Sequence, residues 1–338
     1  MGLGITRKLL VCGTLKRVIC FAAVVTALMG HLAAAAGADG FPSRTVTLVV
    51  PYPPGGSVDG VARILALKLG ETTGQSFIVE NRAGGAGGTV GASYVAKATP
   101  DGYTMLLTAS IHVVTPFLYK TMPYNVVTDF TPISLVVAGP LIVSTTPSMP
   151  ANTLKELFDI VRETPDKYTF ATSSFGSDGH LAVEVLKHEA GVDALVIDYR
   201  GAAPALTDLM SGQTQLMADP ILSSLPLAQA GKIKALAITS KKRFAIAPEI
   251  PTVAESGMAE LDFASWYGLW GPKDMPPDLV AKIQDEVVKI VSDPDVKSRF
   301  AKLGFEPIGS TSAYFAKYIK NEMSRYEQII KDANIQSQ

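Results

Sequence analysis

The sequence predicts an α/β protein of two domains. Three observations carry that expectation. The chain has 338 residues, more than a single core usually accommodates. Short β-rich runs alternate with helical stretches along most of it. Two apolar segments punctuated by proline or glycine, at 130–150 and 266–280, read as strands crossing between the domains.

The elements follow in order. "RTVTLVVPYPP" (44–54) begins as a strand and stops at its prolines. Residues 59–70 form a helix, with Val61, Ile64, Leu65 and Leu69 on one side. "FIVEN" (77–81) is a short strand. "RAGGAGGTVGASYVAKA" (82–98) is a glycine-rich turn entering a helix, and "GYTMLLTAS" (102–110) is a third strand. After the first crossing, residues 151–167 give a helix and a turn. "YTFATSSFGSDGHLAVEVLKHEAG" is strand, glycine–serine loop and helix, and "ALVIDYRGAAPALTDLMSG" (194–212) repeats that order. Pro204 suits a first helical turn and Gly212 a helix end. "QLMADP", a helix at about 221–230 and the strand "KALAITS" complete this unit. After the second crossing, Pro277 and Asp278 suit a helix start, and Val280, Ile283, Val287 and Ile290 give it a buried face. A last helix from about 312 carries Phe315, Ile319, Tyr326 and Ile330 at helical spacing.

The amino terminus reads as an export leader over residues 1–38. Arg7, Lys8, Lys16 and Arg17 precede the apolar run "VICFAAVVTALMG" (18–30), and small residues follow for cleavage after Ala36 or Ala38. The apolar run is short for a membrane span, although a retained anchor is the alternative reading. Both cysteines, Cys12 and Cys20, fall in this leader, so the mature chain is expected to have no disulfide, thiolate metal site or cysteine nucleophile. Removing residues 1–36 takes four basic residues and no acidic ones, leaving 26 basic against 31 acidic. That balance argues against nucleic-acid binding.

Three loops precede helices. In the first, Tyr52, Pro54, Gly55, Gly56, Ser57 and Asp59 surround a turn whose glycines let a ligand approach backbone N–H groups. It matches neither the dinucleotide nor the Walker pattern. The competing reading makes Ser57 a helix cap and the glycines a tight turn. The second loop holds Ser173, Ser174, Phe175, Gly176, Ser177 and His180. Its hydroxyls and amides suit a carboxylate, yet Ser177 or Asp178 can equally cap the helix and His180 can be structural. Asp178 would repel an acidic ligand unless it points away. The third loop holds Tyr199, Arg200, Gly201, Ala202 and Pro204, with Tyr199 as a ligand wall and Arg200 either pairing an acid or facing solvent. The glycines at 84–91 read equally as amides near a cleft or as close packing. No histidine spacing signals a metal, and no cofactor is expected. Ser177 and His180 are close in sequence, but a hydrolase lacks a readable third group and nucleophile elbow.

With these loops in order, the chain resembles the extracytoplasmic solute-binding receptors of tripartite tricarboxylate transporters, the Bug family of Gram-negative bacteria. The resemblance spans about 41–335. It rests on "VPYPPGGSVDGVAR", "VENRAGGAGGTVGASYVAKATPDGYTMLL", "FGSDGHLAVE", "DYRGAAPALTDLMSGQ", "WYGLWGPKDMPPDLV" and "LGFEPIGSTSAYFAKYI". It implies a type II-like periplasmic binding protein fold, with a ligand cleft between two domains joined by two crossing strands. It places domain 1 at 41–140 and 266–338, and domain 2 at 141–265. It also implies that the first loop holds a ligand carboxylate partly through water, while the loops Ser173–His180 and Tyr199–Pro204 supply a second carboxylate-binding surface. The sequence departs from the family at Ser174, where glycine is common, which affects which ligand fits.

The resulting expectation is a periplasmic, monomeric, non-enzymatic receptor for a small organic carboxylate that serves the membrane components of such a transporter. A carboxylate receptor that signals to a membrane sensor is the alternative, and a secreted serine hydrolase a more distant one.

Overall fold

The structure, a computed structural model, describes residues 40–259 and 261–338. The expected leader at 1–38 lies outside the described residues. Strand β1 (Val46–Val50) is the sequence VTLVV, buried along nearly its whole length. It sits between β2 (Phe77–Asn81) and β3 (Thr104–Ala109) and pairs with both in parallel. A strand covered on both faces requires this continuous apolar run. Helix α1 (Ser57–Thr73) buries Val58, Val61, Ala62, Leu65 and Leu69 and ends at Gly74 in a left-handed conformation. Helix α2 (Thr89–Ala96) and helix α3 (Ile111–Leu118) follow β2 and β3.

Strand β4 (Phe130–Thr145) ties the molecule together. Residues 130–140 pair antiparallel with β9 (Ala264–Pro272). Residues 141–145 pair instead with β7 (Leu216–Pro220) and β8 (Lys234–Ile238). The chain therefore passes from one lobe to the other at Pro140–Leu141. It returns where the Phe263 amide donates to the Thr239 carbonyl, immediately before β9. The first position lies within the apolar segment 130–150, and the second lies just before the segment 266–280. The two lobes share one continuous sheet, in the order β2-β1-β3-β9-β4-β7-β5-β6.

In the second lobe, β5 (Thr169–Thr172) lies parallel to β6 (Leu195–Asp198) and to β7. Helices α4 (Leu154–Glu163), α5 (Asp178–Ala190), α6 (Ala202–Ser211) and α7 (Ile221–Gln229) complete that lobe. The chain then returns to the first lobe as α8 (Pro277–Ser292), α9 (Pro294–Lys302), β10 (Glu306–Pro307) and α10 (Ser312–Asp332). The short β10 pairs with β4, so both ends of the described chain build the first lobe.

The aromatic core lies at the junction. Trp266, Trp270, Phe315 and Tyr326 are all fully buried there. Phe315 meets Trp270 at 4.8 Å and Trp266 at 5.8 Å between ring centroids. Among the described residues no helix is long and apolar enough to cross a membrane.

Candidate functional site

The carboxyl ends of β1, β5 and β6 each open into a loop followed by a helix, and β7 runs directly into helix α7. In open α/β sheets ligands bind beyond these strand ends. After β1 the chain turns through prolines and two glycines. Gly55 has φ of 86°, where a side chain would be strained, and its N–H donates to Asp59 Oδ2 at 2.9 Å. Arg63 Nε donates to the same oxygen at 2.9 Å. Asn81 Nδ2 donates to Asp59 Oδ1 at 3.0 Å and to the Tyr52 carbonyl at 3.1 Å. Burial of the Asp59 carboxyl opposes its ionisation, but the bonds from Arg63, Gly55 and Asn81 together outweigh this and hold it below the usual carboxylate range. Asp59 therefore fastens the turn to α1.

Helix α1 begins after Gly56 with no side-chain cap. The reading of Ser57 as the cap is thus set aside. Its hydroxyl instead lies against Tyr267 on β9. Among the described residues no side chain caps the first turn of α1, while Pro54, Gly55 and Gly56 are exposed. Tyr52 turns inward, its hydroxyl 3.0 Å from Thr108 Oγ1, and burial pushes its pKa up to about 12.

The second loop behaves differently. Ser177 accepts the His180 N–H at 3.2 Å and caps α5, and its hydroxyl also meets Thr172 Oγ1 at 3.1 Å. His180 is buried, and its Nδ1 accepts the Gly176 N–H at 3.3 Å. Burial lowers its pKa to about 4, aided by Lys187, so the ring is neutral at pH 7. Phe175 packs on His180 and, at 5.9 Å, on Tyr119. A Cβ at Gly176 would run into Leu118 at 2.5 Å. Phe175 and Gly176 thus hold the loop against the end of α3.

Asp178 points away from the loop. Ser110 Oγ donates to its Oδ2, and the Tyr326 hydroxyl donates to its Oδ1 at 3.1 Å. Burial raises its pKa to about 6, against the hydrogen bonds from Ser110, Tyr326 and Ser265, which lower it. Ser265 also lies beside the Tyr267 hydroxyl. A chain of polar contacts thus runs from Ser57 through Tyr267 and Ser265 to Asp178. It brings the first turns of α1 and α5, from different lobes, to one junction.

The third loop is fastened to the second. The Gly201 N–H donates to the Ser173 carbonyl at 2.8 Å, and the Tyr199 N–H to the Thr172 carbonyl at 2.9 Å. Helix α6 starts after Gly201, which has φ of 120° and no side-chain cap. Ala202 and Pro204 lie in its first turn, and a Cβ at Gly201 would meet open space. The Tyr199 hydroxyl is bonded to Asp208 Oδ2 at 2.6 Å, and Arg200 is exposed.

Asp59, Ser177 and His180 were candidate ligand residues, with helix capping the alternative for Ser177 and a structural role the alternative for His180. Each is engaged by protein donors or acceptors and shapes a loop. The His180 ring bonds a backbone amide, whereas the Ser177 hydroxyl receives a backbone N–H, so the pair lacks the base-to-nucleophile contact of a hydrolase. The glycines at 84–91 resolve as packing, since a Cβ at Gly88 or Gly91 would press on Pro51 at 2.8 or 2.9 Å. The sequence reading missed Tyr267, Ser265, Ser110 and Asp219. Asp219 left one signal, an acid at the end of an apolar strand in "QLMADP". Among the described residues no three His, Cys, Asp or Glu side chains converge as metal ligands.

The family model for the tripartite tricarboxylate transporter family receptor matches residues 61–335. Three solved structures are similar over most of the chain. An adipate-bound protein of R. palustris is 35% identical with a TM-score of 0.84, covering 88% of this chain and 100% of that one. The periplasmic binding protein BugD is 36% identical with a TM-score of 0.80, covering 88% and 100%. MatC from Rhodopseudomonas palustris with bound malate is 33% identical with a TM-score of 0.78, covering 86% and 100%.

Proposed function

Because the chain belongs to the tripartite tricarboxylate transporter receptor family, we propose that it is a periplasmic receptor that captures a small organic carboxylate between its lobes. It delivers that ligand to the membrane components of a transporter and carries out no chemistry itself. Residues 1–38 direct export, and the lobes comprise 41–140 with 266–338, and 141–265.

One observation carries the ligand class. Helices α1 and α6, one in each lobe, start at glycines with no side-chain cap. Uncapped first-turn amides and the helix dipole favour an anion. Amide donors also hold a carboxylate without a buried lysine or arginine, whose desolvation is costly in the empty cleft. Ser57, Gly55 and Gly56 meet the ligand from one lobe, and Ser173, Ser174, Gly201 and Ala202 from the other. Asp59, Ser177 and His180 position those groups. The adipate and malate bound by similar proteins support a dicarboxylate-sized ligand.

Calorimetric titration of the mature protein with adipate and with malate tests this reading. The expected result is one site per chain with Kd near or below about 1 µM, a binding free energy of roughly −8 kcal/mol. No binding by either acid, or tight binding of a nucleotide, overturns the ligand class. Undiminished uptake in cells lacking the receptor overturns the transport role and favours signalling.

A further inference from the structure

Asp219 is an acid near the carboxyl end of β7, in the otherwise uncharged segment LMADP. It is paired in register with Ile142 of β4, two residues past the point where that strand changes lobes. It is 1% exposed. Ser223 Oγ, in the first turn of α7, donates to Oδ2, and the Ser173 hydroxyl lies beside the carboxyl. Oδ1 is buried with no hydrogen-bond partner among the described residues. Ser224 Oγ, next along the same helical turn, is also buried without a partner. Buried polar atoms are nearly always satisfied, and leaving one unmade costs more than a typical bond gains. Ser173 belongs to the loop that anchors the start of α6, so this carboxyl sits directly behind the second-lobe surface.

We propose that Asp219 is a specificity residue of the cleft that, as a neutral acid, donates a hydrogen bond from Oδ1 to a carboxylate oxygen of the ligand. This rests on the carboxylate-receptor reading above. An ionised Asp219 would repel such a ligand, whereas a protonated one completes a set of donors. Burial raises its pKa to about 7, while Ser223 and Ser173 lower it. Strands β4 and β5 and helix α7 carry no titratable side chain. Helix α5 brings Asp178 and His180, α6 brings Asp208 already bonded to Tyr199, and β9 brings Tyr267. Lys234 of β8 is at the far end of β4, opposite Thr145, where it donates to the Met149 carbonyl at 2.8 Å. Among the described residues no cation acts on Asp219 to stabilise its charge.

Ligand binding must then hold the Asp219 proton. Above pH 7 the free protein loses that proton, and affinity falls about tenfold per pH unit. The window from pH 7 to 9 lies above Asp178 at about 6 and His180 at about 4, and below Tyr52 at about 12. Adipate is fully ionised throughout it.

Two measurements on the full protein separate this inference from the reading it rests on. NMR of carboxyl-13C aspartate, with Asp219 identified through Asp219→Asn, reports the protonation state. Adipate calorimetry from pH 7 to 9 reports affinity, and a thermal melt confirms that Asp219→Asn is folded. We expect a neutral Asp219 at pH 6, a tenfold weaker wild-type Kd per pH unit, and less than twofold change in Asp219→Asn, whose Nδ2 still donates. An Asp219 ionised at pH 6, an unchanged slope in Asp219→Asn, or tighter wild-type binding at high pH overturns the donor role; the last of these is the behaviour of a ligand ammonium. A neutral Asp219 with no adipate binding at any pH overturns the dicarboxylate reading and the ligand contact with it.

Discussion

Gly56→Val tests where the ligand sits, because the fold itself does not need glycine there. Gly56 has φ of −79° and ψ of 173°, ordinary extended backbone for any residue. A Cβ built on it meets only the Pro53 carbonyl oxygen, at 3.9 Å. The cost to stability is the weaker N-cap preference of valine, about 1 kcal/mol. For a chain of this size that lowers Tm by roughly 2–4 °C. The same side chain stands over the uncapped first turn of α1 and blocks a ligand from its amides. Losing those hydrogen bonds and the close approach should weaken adipate binding at least about 100-fold, or roughly 2.7 kcal/mol. Gly179→Ala is the contrasting control, since its Cβ would collide with the Ala218 carbonyl oxygen and should prevent folding. Calorimetry gives the affinity. Fluorescence of the chain's two tryptophans, Trp266 and Trp270, both in β9, reports an intact junction. A folded Gly56→Val that binds adipate as tightly as wild type refutes the placement of the ligand at this turn.

Asp59→Ala removes the acceptor shared by Gly55, Arg63 and Asn81. It should cost about 1–3 kcal/mol in urea unfolding and also weaken binding, because the turn loses its shape. Acid stability depends on opposing groups. Burial holds His112 at about 3, and His180 sits at about 4, both below the unfolded value of about 6.5. Their contribution is present above that value and lost as pH falls, by roughly 2 kcal/mol each at pH 5. Asp178 at about 6 and Asp219 at about 7 are raised above their unfolded value, so folding binds protons there and gains stability as pH falls. At pH 5 their gain is roughly 1 and 3 kcal/mol. The four nearly cancel, so denaturant unfolding should give similar stability at pH 7 and pH 5. His112→Phe should make the chain gain roughly 2 kcal/mol over that interval relative to wild type.

The fold was legible where burial writes a period or a run into the sequence. "FIVEN" and "VTLVV" read directly as strands, and the helices from 277 and 312 carried regular apolar faces. Helix α3 did not read as a helix because IHVVTPFL is apolar all round and contains Pro116, leaving no polar face to show a period. Helix α9 was missed because it is short and buries only Val296 and Phe300. The three loops were found because glycine and proline mark turns and helix starts mark amides. The destinations of their side chains were not legible. Ser57 and Ser177 are each a serine in a glycine-containing turn beside a helix start, yet one turns to Tyr267 and the other caps its helix. That difference depends on β9, which is over 200 residues from Ser57 and arrives only through the tertiary fold. The same holds for Asp178, which joins Ser110 and Tyr326 from distant segments.

That last contact has a consequence for affinity. Ser110 and Tyr326 belong to the first lobe and Asp178 to the second, so their bonds join the lobes independently of any ligand. Tyr326 also accepts from Trp266 Nε1 at 3.3 Å. A ligand held by both lobes favours the joined state, and contacts that stabilise that state beforehand reduce the free energy the ligand must supply. Tyr326→Phe removes the hydrogen bond donated to the buried Asp178 carboxyl and the one accepted from Trp266 Nε1, while preserving the ring. It should cost about 1–3 kcal/mol of stability. If that cost falls mainly on the joined state, adipate affinity drops about 5- to 100-fold although Tyr326 lies outside the three loops. Small-angle scattering of the unliganded variant should then show a larger radius of gyration than wild type, and saturating adipate should restore it. Lower stability with unchanged affinity and unchanged scattering would show that the Asp178 contact supports the core without governing closure.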